Sequence, residues 1–197
     1  MKRIAVLVSG GGTNLQAILA SERRGENPNG QVSLVVASKP GVYALTRAEQ
    51  FGVPTAVVAR RDYADSEAFD AALLDVLAGH NIDLVVLAGF LSVLGPSVIA
   101  AYPNRILNVH PSLIPSFCGP GFYGLRVHEA ALARGVKVTG ATVHFVNEEC
   151  DGGPILLQKA VDIQPGDTPE TLQKRVMVEA EWKLLPKAIA MVCNDEV

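Results

Sequence analysis

Cysteine is scarce in this chain. Cys118, Cys150 and Cys193 are odd in number and far apart, and no C-x-x-C occurs. That pattern suggests neither a zinc site nor a disulfide framework, and it is the usage expected of a chain in a reducing cytosol. Charge is also thin: 19% of residues are charged and the formal net charge is −3. Neither a disordered polyelectrolyte nor a general nucleic-acid surface is expected from that balance. No apolar run approaches the ~20 residues of a membrane span. Met1-Lys2-Arg3 followed by Ile4–Val8 has the outline of a signal peptide. The apolar run is only five residues long, however, and Ser9-Gly10-Gly11-Gly12 interrupts it, so it reads as a first strand. No two histidines share ligand spacing with a carboxylate, so no metal is expected. A cytoplasmic chain that touches neither membrane nor nucleic acid is the expectation.

Apolar sequence is plentiful. Hydrophobic residues make up 49% of the 197, enough to bury a core without disulfides, and the length favours a single domain over 1–197. Ile4–Val8 is a short apolar run, as expected of a strand buried on both faces, and Val32–Ala37, Thr55–Ala59, Asp83–Ala88 and Arg105–Val109 read as further strands. Between them, Thr13 to about Arg24, Val42–Phe51, Ser66–Ala78 and Pro96–Ala101 read as helices. The third places Phe69, Leu73, Leu74 and Leu77 at helical spacing. After a loop at Ser116–Gly124 comes a helix at Leu125–Arg134. Lys137–Val146 and Pro154–Ile163 then alternate like antiparallel strands, and a long helix is predicted from Thr168 to Met191, capped by Asp167 or Thr168. Strands alternating with helices predict an α/β fold: a doubly wound, mostly parallel sheet, a C-terminal antiparallel strand addition and a long terminal helix.

Three stretches carry chemistry. Ser9-Gly10-Gly11-Gly12-Thr13-Asn14 joins the first strand to the first helix, where a glycine backbone and a helix N-terminus suit a phosphate. It lacks the Gly-Lys-Ser/Thr of a Walker loop, and Leu15 stands where a dinucleotide fingerprint needs its third glycine. Asn108-Val109-His110-Pro111-Ser112-Leu113-Ile114-Pro115 sets an amide and an imidazole at a strand end, where the prolines forbid continuation. In an open parallel sheet, that edge is where sites are built. Asp151-Gly152-Gly153-Pro154 closes an acidic loop. A carboxylate before two glycines can follow an unusual backbone path to another group, and if Asp151 reached His110 it would orient the ring. The pair could then run acid–base chemistry while Asn108 donates to a developing oxyanion. His80 reads as a surface residue. His128 could be core or loop-facing, and His144 lies in an apolar alternating run.

Taken in order, Ser9–Ile18, Leu87-Ala88-Gly89-Phe90, Asn108–Pro115 and His144-Phe145-Val146 with Asp151-Gly152-Gly153-Pro154 closely resemble the phosphoribosylglycinamide formyltransferases, over nearly the whole chain. The resemblance implies a Rossmann-like formyltransferase fold. It also implies transfer of a formyl group from 10-formyltetrahydrofolate to the amine of glycinamide ribonucleotide, in purine synthesis. The family's catalytic residues fall on Asn108, His110 and Asp151, with His144 and Ser112 in support. Its phosphate and ribonucleotide contacts fall on Gly11, Gly12, Thr13, Asn14 and Glu181. Glu179 is a rival of Glu181, because the spacing from Arg175 differs by one residue from the family pattern. The folate contacts fall on Leu91, Ser92, Val93, Leu94, Val146, Asn147 and Cys150. On this reading 1–109 is the nucleotide- and phosphate-binding half and 110–197 the folate-binding and catalytic half, in a monomer or homodimer. Two positions depart from the family: Ser92 and Ser66 stand where arginine is common. Lys39, Arg60 or Arg61 could replace the cation missing at Ser66. The Ser116–Gly124 loop is longer than the commonest version and suits a lid. Formyltetrahydrofolate hydrolases and methionyl-tRNA formyltransferases carry an additional domain, so a chain of this length is expected to be neither. A nicotinamide oxidoreductase would need the missing glycine, and a non-catalytic binding module would not need Asn108, His110 and Asp151 together.

Overall fold

Every residue of Ile4–Val8 is fully buried, as a strand covered on both faces must be. In the computed structural model, which describes residues 1–197, this run forms most of β1 (Lys2–Val8). The other strands are β2 (Gly30–Ala37), β3 (Thr55–Val57), β4 (Leu84–Leu87), β5 (Ile106–His110), β6 (Val138–Phe145) and β7 (Ile155–Asp162). They form a mixed seven-stranded sheet in the order β3-β2-β1-β4-β5-β6-β7. β1 is parallel to β2 and β4, β2 is parallel to β3, and β6 and β7 are antiparallel. The chain divides into two compact units, one of Met1–Leu107 with Ile189–Val197 and one of Asn108–Ala188.

In the first unit the strands alternate with α1 (Thr13–Arg23), α2 (Tyr43–Gln50), α3 (Ser66–Gly79) and α4 (Pro96–Ala101). The apolar stripes are the predicted ones: Leu15, Ile18 and Leu19 on α1, and Phe69, Leu73 and Leu77 on α3, are buried. Leu74 is only half-buried. Asp65 caps α3 by accepting the Ala68 N–H at 2.8 Å. One turn later Asp70, itself buried, accepts the Gly95 N–H at 3.0 Å and so fixes the start of α4. A Cβ on Gly95 would sit 2.3 Å from the Asp70 carboxylate, so this approach requires glycine. The C-terminus returns to the same unit, where Lys2 donates to the Val192 carbonyl at 2.7 Å and pairs with Asp195.

In the second unit α5 (Leu125–Arg134) precedes the β6–β7 hairpin. Gly140 faces Ala160 across that hairpin, and a Cβ there would stand 2.1 Å from the Lys159 carbonyl oxygen. The terminal helix differs from the expected uninterrupted one. It runs as α6 (Pro169–Val176), a π turn at Met177–Glu181 and α7 (Trp182–Cys193). The Trp182 N–H reaches back to the Met177 carbonyl, which adds a residue to that turn. Hydrophobic periodicity does not reveal such a turn, because the stripe resumes beyond it with only a shift of phase. Thr168 is the N-cap. Its hydroxyl accepts the Thr171 N–H at 3.2 Å, while the Thr171 hydroxyl accepts the Thr168 N–H at 2.9 Å. Thr168→Ala removes the first of these bonds and the side chain that shapes the cap, and is expected to lower unfolding free energy by about 1 kcal/mol, measured by urea titration.

His128, on α5, is completely buried. Burial first, and the charge of His110 second, push its imidazole down to about 4 from an ordinary value near 6.5. The unfolded chain therefore takes up this proton before the folded one does. Between about pH 6.5 and pH 4, stability is expected to fall with decreasing pH, at up to about 1.4 kcal/mol per pH unit from this group. His128→Gln should remove that part of the slope in unfolding measured as a function of pH. An unchanged slope would assign it to other groups.

Candidate functional site

β5 ends with Asn108-Val109-His110, and Pro111 closes it because it has no N–H to continue a ladder. His110 is the strand's last residue rather than the first of the loop. Asn108 is half-buried and His110 is buried. The segment after them is tied down through Thr142 on β6. Its hydroxyl donates to the Ser112 carbonyl at 2.7 Å and accepts from the Ile114 N–H at 3.1 Å. Ser112 is fully buried and donates to the Ser116 carbonyl at 2.6 Å. The two positions that read as a strand exit thus end the strand and lead into a braced turn.

Asp151 does reach this strand end. Its Oδ2 lies 3.6 Å from His110 Nδ1, and its Oδ1 lies 3.5 Å from Asn108 Nδ2 and 3.7 Å from His144 Nε2. The Gly119 N–H donates to Oδ2 at 2.9 Å. The backbone path is the unusual one anticipated: Asp151 has φ +55°, in the left-handed region. Gly153 makes the path possible, since a Cβ there would fall 1.7 Å from the Phe145 carbonyl oxygen. Burial opposes ionisation of the Asp151 carboxyl. The His144 imidazole, the Gly119 N–H and the His110 imidazole outweigh it, and the carboxyl lies below its ordinary range.

Each imidazole is oriented from its far side. His110 Nε2 lies 2.8 Å from the Phe117 carbonyl, and Phe117 itself is left-handed, with φ +49°. A carbonyl only accepts, so Nε2 carries a proton and Nδ1 is the ring atom turned toward Asp151. His144 Nδ1 lies 2.8 Å from the Phe145 carbonyl, which leaves Nε2 of the neutral ring to accept from Asn108 Nδ2 at 3.0 Å. One Asn108 N–H is thereby engaged, and the other sees only the long contact to Asp151. Phe117 and Gly119 were missed in the sequence reading. They act through backbone atoms, which leave no side-chain signature.

In the first unit, the loop after β1 opens α1 without any side-chain cap. Gly12 is the N-cap, at φ +72° and ψ 37°. The first N–H groups of α1 are therefore left without a capping side chain. Thr13 is half-buried and Asn14 is buried. Ser9 is a structural junction. Its N–H donates to the Gly89 carbonyl at 3.1 Å, and its hydroxyl accepts from the Leu91 N–H at 2.9 Å and the Ser38 hydroxyl at 2.7 Å. That hydroxyl joins the glycine loop to the Leu91–Leu94 segment. Within the segment, Leu91 is 63% and Val93 85% exposed, an apolar surface that solvent does not favour, while Leu94 is buried.

The remaining predicted positions are also located. In the second unit Val146 is half-buried and Asn147 and Cys150 are exposed, on the loop that ends at Asp151. The π turn separates the two rival acids, burying Glu181 and leaving Glu179 exposed. Ser66 begins α3. Of the cations considered in its place, Arg60 donates to the Tyr63 carbonyl at 3.1 Å, Arg61 pairs with Asp62 at 3.7 Å, and Lys39 is exposed. The Ser116–Gly124 loop is anchored by the Phe117 and Gly119 bonds just described. A groove of about 360 Å³ lined by Arg3, Glu22, Arg23 and Phe51 lies at the beginnings of β1 and β2 and contains none of these residues. No group of three or more His, Cys, Asp or Glu is arranged to hold a metal ion, and no helix is long and apolar enough to cross a membrane.

The Formyl transferase family model matches residues 2–189. The chain is 44% identical over 195 residues to the human trifunctional purine biosynthetic protein adenosine-3, covering 99% of this chain and 19% of that protein. It therefore spans about a fifth of the length of such multifunctional relatives. It is 40% identical over 189 residues to the phosphoribosylglycinamide formyltransferase of Haemophilus influenzae, covering 96% and 86% of the two chains. The crystal structure of glycinamide ribonucleotide transformylase 1 from Symbiobacterium toebii superposes with a TM-score of 0.93 at 45% identity, covering 99% and 89%. By fold and by the match along its length, the chain belongs to the formyl transferase family.

Proposed function

We propose that this chain transfers the formyl group of 10-formyltetrahydrofolate to the amine of glycinamide ribonucleotide, a step of de novo purine biosynthesis leading to IMP. The observation that carries the reading is the approach of Asn108 and His110 to Asp151, at 3.5 and 3.6 Å, at the end of β5, in a formyl transferase chain. The relatives' names supply the substrate, and the uncapped glycine loop at α1 is chemically suited to its phosphate.

On this reading Gly11, Gly12, Thr13 and Asn14 take the phosphate, and Glu181 faces the substrate amine. Leu91, Ser92, Val93 and Leu94, with Val146, Asn147 and Cys150, take the folate. The substrate amine attacks the formyl carbon. A C–N bond forms, and the formyl oxygen takes up the electron pair of the broken π bond. Asn108 Nδ2 and His110 Nδ1–H donate to that oxygen. Their contacts to Asp151, at 3.5 and 3.6 Å, are long enough to yield to a stronger acceptor. Asp151, ionised at neutral pH, stabilises the positive charge that develops on the attacking nitrogen and guides its proton toward N10 of the folate. Collapse then restores the carbonyl, breaks the bond to N10 and leaves tetrahydrofolate. No protein nucleophile takes part. His144 positions Asn108, and Ser112 holds the turn behind both.

Asn108→Ala and Asp151→Asn are each expected to lower kcat about 10²–10³-fold, the usual worth of one preorganised donor or charge, with unchanged circular dichroism. Near-normal turnover in either variant would defeat the assignment. The product distinguishes this reading from a hydrolase. Incubation with both substrates should give formylated glycinamide ribonucleotide, whereas formate without that product would identify hydrolysis.

His144→Phe leaves Asn108 in place without its acceptor. A loss of kcat smaller than that of Asn108→Ala is expected, with little change in either KM. Single-turnover kinetics of the two variants and of the double variant test it, since an Asn108 already removed leaves His144 little to position.

A further inference from the structure

Three consecutive glycines make a loop that can approach an anion, but they also make one that can turn away. Nothing lies within 4 Å of where a Cβ of Gly10 or Gly11 would be, and glycine itself imposes little preference between one peptide orientation and its inverse. The loop is held by its carbonyls instead, and both are held from α2. The Ala44 N–H donates to the Gly10 carbonyl at 3.2 Å, and Arg47 Nε donates to the Gly11 carbonyl at 2.8 Å. Arg47 Nη1 also donates to Gln16 Oε1, in the first turn of α1, at 2.9 Å. The Arg47 guanidinium lies 4.8 Å from the Tyr43 ring centroid. The stem of Arg47 and Ala44 close over Gly12, where a Cβ would sit 2.7 Å from Ala44 Cβ and 3.5 Å from Arg47 Cδ.

The N–H and C=O of a trans peptide point in opposite directions. With the Gly10 and Gly11 carbonyls drawn to α2, the N–H groups of Gly11 and Gly12 point away from it. An inverted Gly11–Gly12 peptide would present a carbonyl oxygen to an anion in place of a donor. We infer that Arg47 is the positioning residue of the phosphate loop: by holding the Gly11 carbonyl and Gln16, it keeps the Gly12 N–H aimed at the substrate phosphate. This rests on the reading of Ser9–Asn14 as the phosphate site. It bears on the missing arginine at Ser66, because the cation nearest this loop acts through the loop's own backbone rather than from α3.

The test compares glycinamide ribonucleotide with the corresponding riboside, which lacks the phosphate, as substrates of wild type, Arg47→Met and Arg47→Lys. Wild type is expected to prefer the ribonucleotide in kcat/KM. Arg47→Met should lower that preference by about tenfold or more, the worth of a hydrogen bond from a charged group, and do so through KM for the ribonucleotide. Its activity on the riboside and its KM for the folate should stay near wild type. Arg47→Lys, which keeps the charge and one donor, should recover part of the loss and serves as the readable variant if Arg47→Met folds poorly. Equal losses on ribonucleotide and riboside, or a preference unchanged in Arg47→Met, would overturn the inference while leaving the phosphate site standing. A wild-type enzyme without preference for the ribonucleotide would overturn the phosphate reading itself.

Discussion

The carboxylate of Asp151 is the group on which the geometry of the second unit turns. Even a half-buried carboxylate loses hydration that nearby donors must replace. Here the Gly119 N–H, Asn108 Nδ2 and two imidazoles surround it. Meeting that need draws three separate stretches together: the end of β5, the loop after Pro115 and the turn between β6 and β7. The requirement extends into the backbone, which holds Asp151 and Phe117 in left-handed conformations that non-glycine residues seldom adopt. Strain of this kind survives only where surrounding bonds over-determine it, and here they do. Gly153 admits the Phe145 carbonyl, and the Phe117 carbonyl is engaged by His110.

The imidazoles around Asp151 are oriented but not bonded to it. His110 and His144 are each fixed by a carbonyl at 2.8 Å on one ring nitrogen, while their contacts to the carboxylate are 3.6 and 3.7 Å. Firm contacts behind the rings and longer ones to the carboxylate fix how both rings are turned without tying them to Asp151. The first unit follows a related rule with different means. Its glycine loop has no side chains to anchor, so Ser9, Ala44 and Arg47 hold it through backbone groups.

The terminal helix shows how one added residue can be absorbed without loss of packing. The π turn at Met177–Glu181 buries Ala180 and Glu181 and exposes Glu179. Counting from Arg175 left the choice between the two acids open. The wider turn decides which of them faces inward.

What the sequence determined by itself was the set of elements and the residues worth watching. All seven strands and the helices through α5 lie within a few residues of their expected places, because buried parallel strands are short apolar runs and amphipathic helices have a 3.6-residue period. Asn108, His110 and Asp151 were legible because prolines and glycines next to polar residues mark backbone that cannot be ordinary helix or strand. What only the tertiary structure decided was which atoms meet. The Asp151–His110 approach, the Phe117 carbonyl behind the imidazole, the Ser9 junction and the Arg47 clasp on Gly11 all join positions distant in sequence or act through backbone atoms. Main-chain donors and acceptors are the same at every residue except proline, so their pairing leaves no mark in the order of side chains and follows only from the fold.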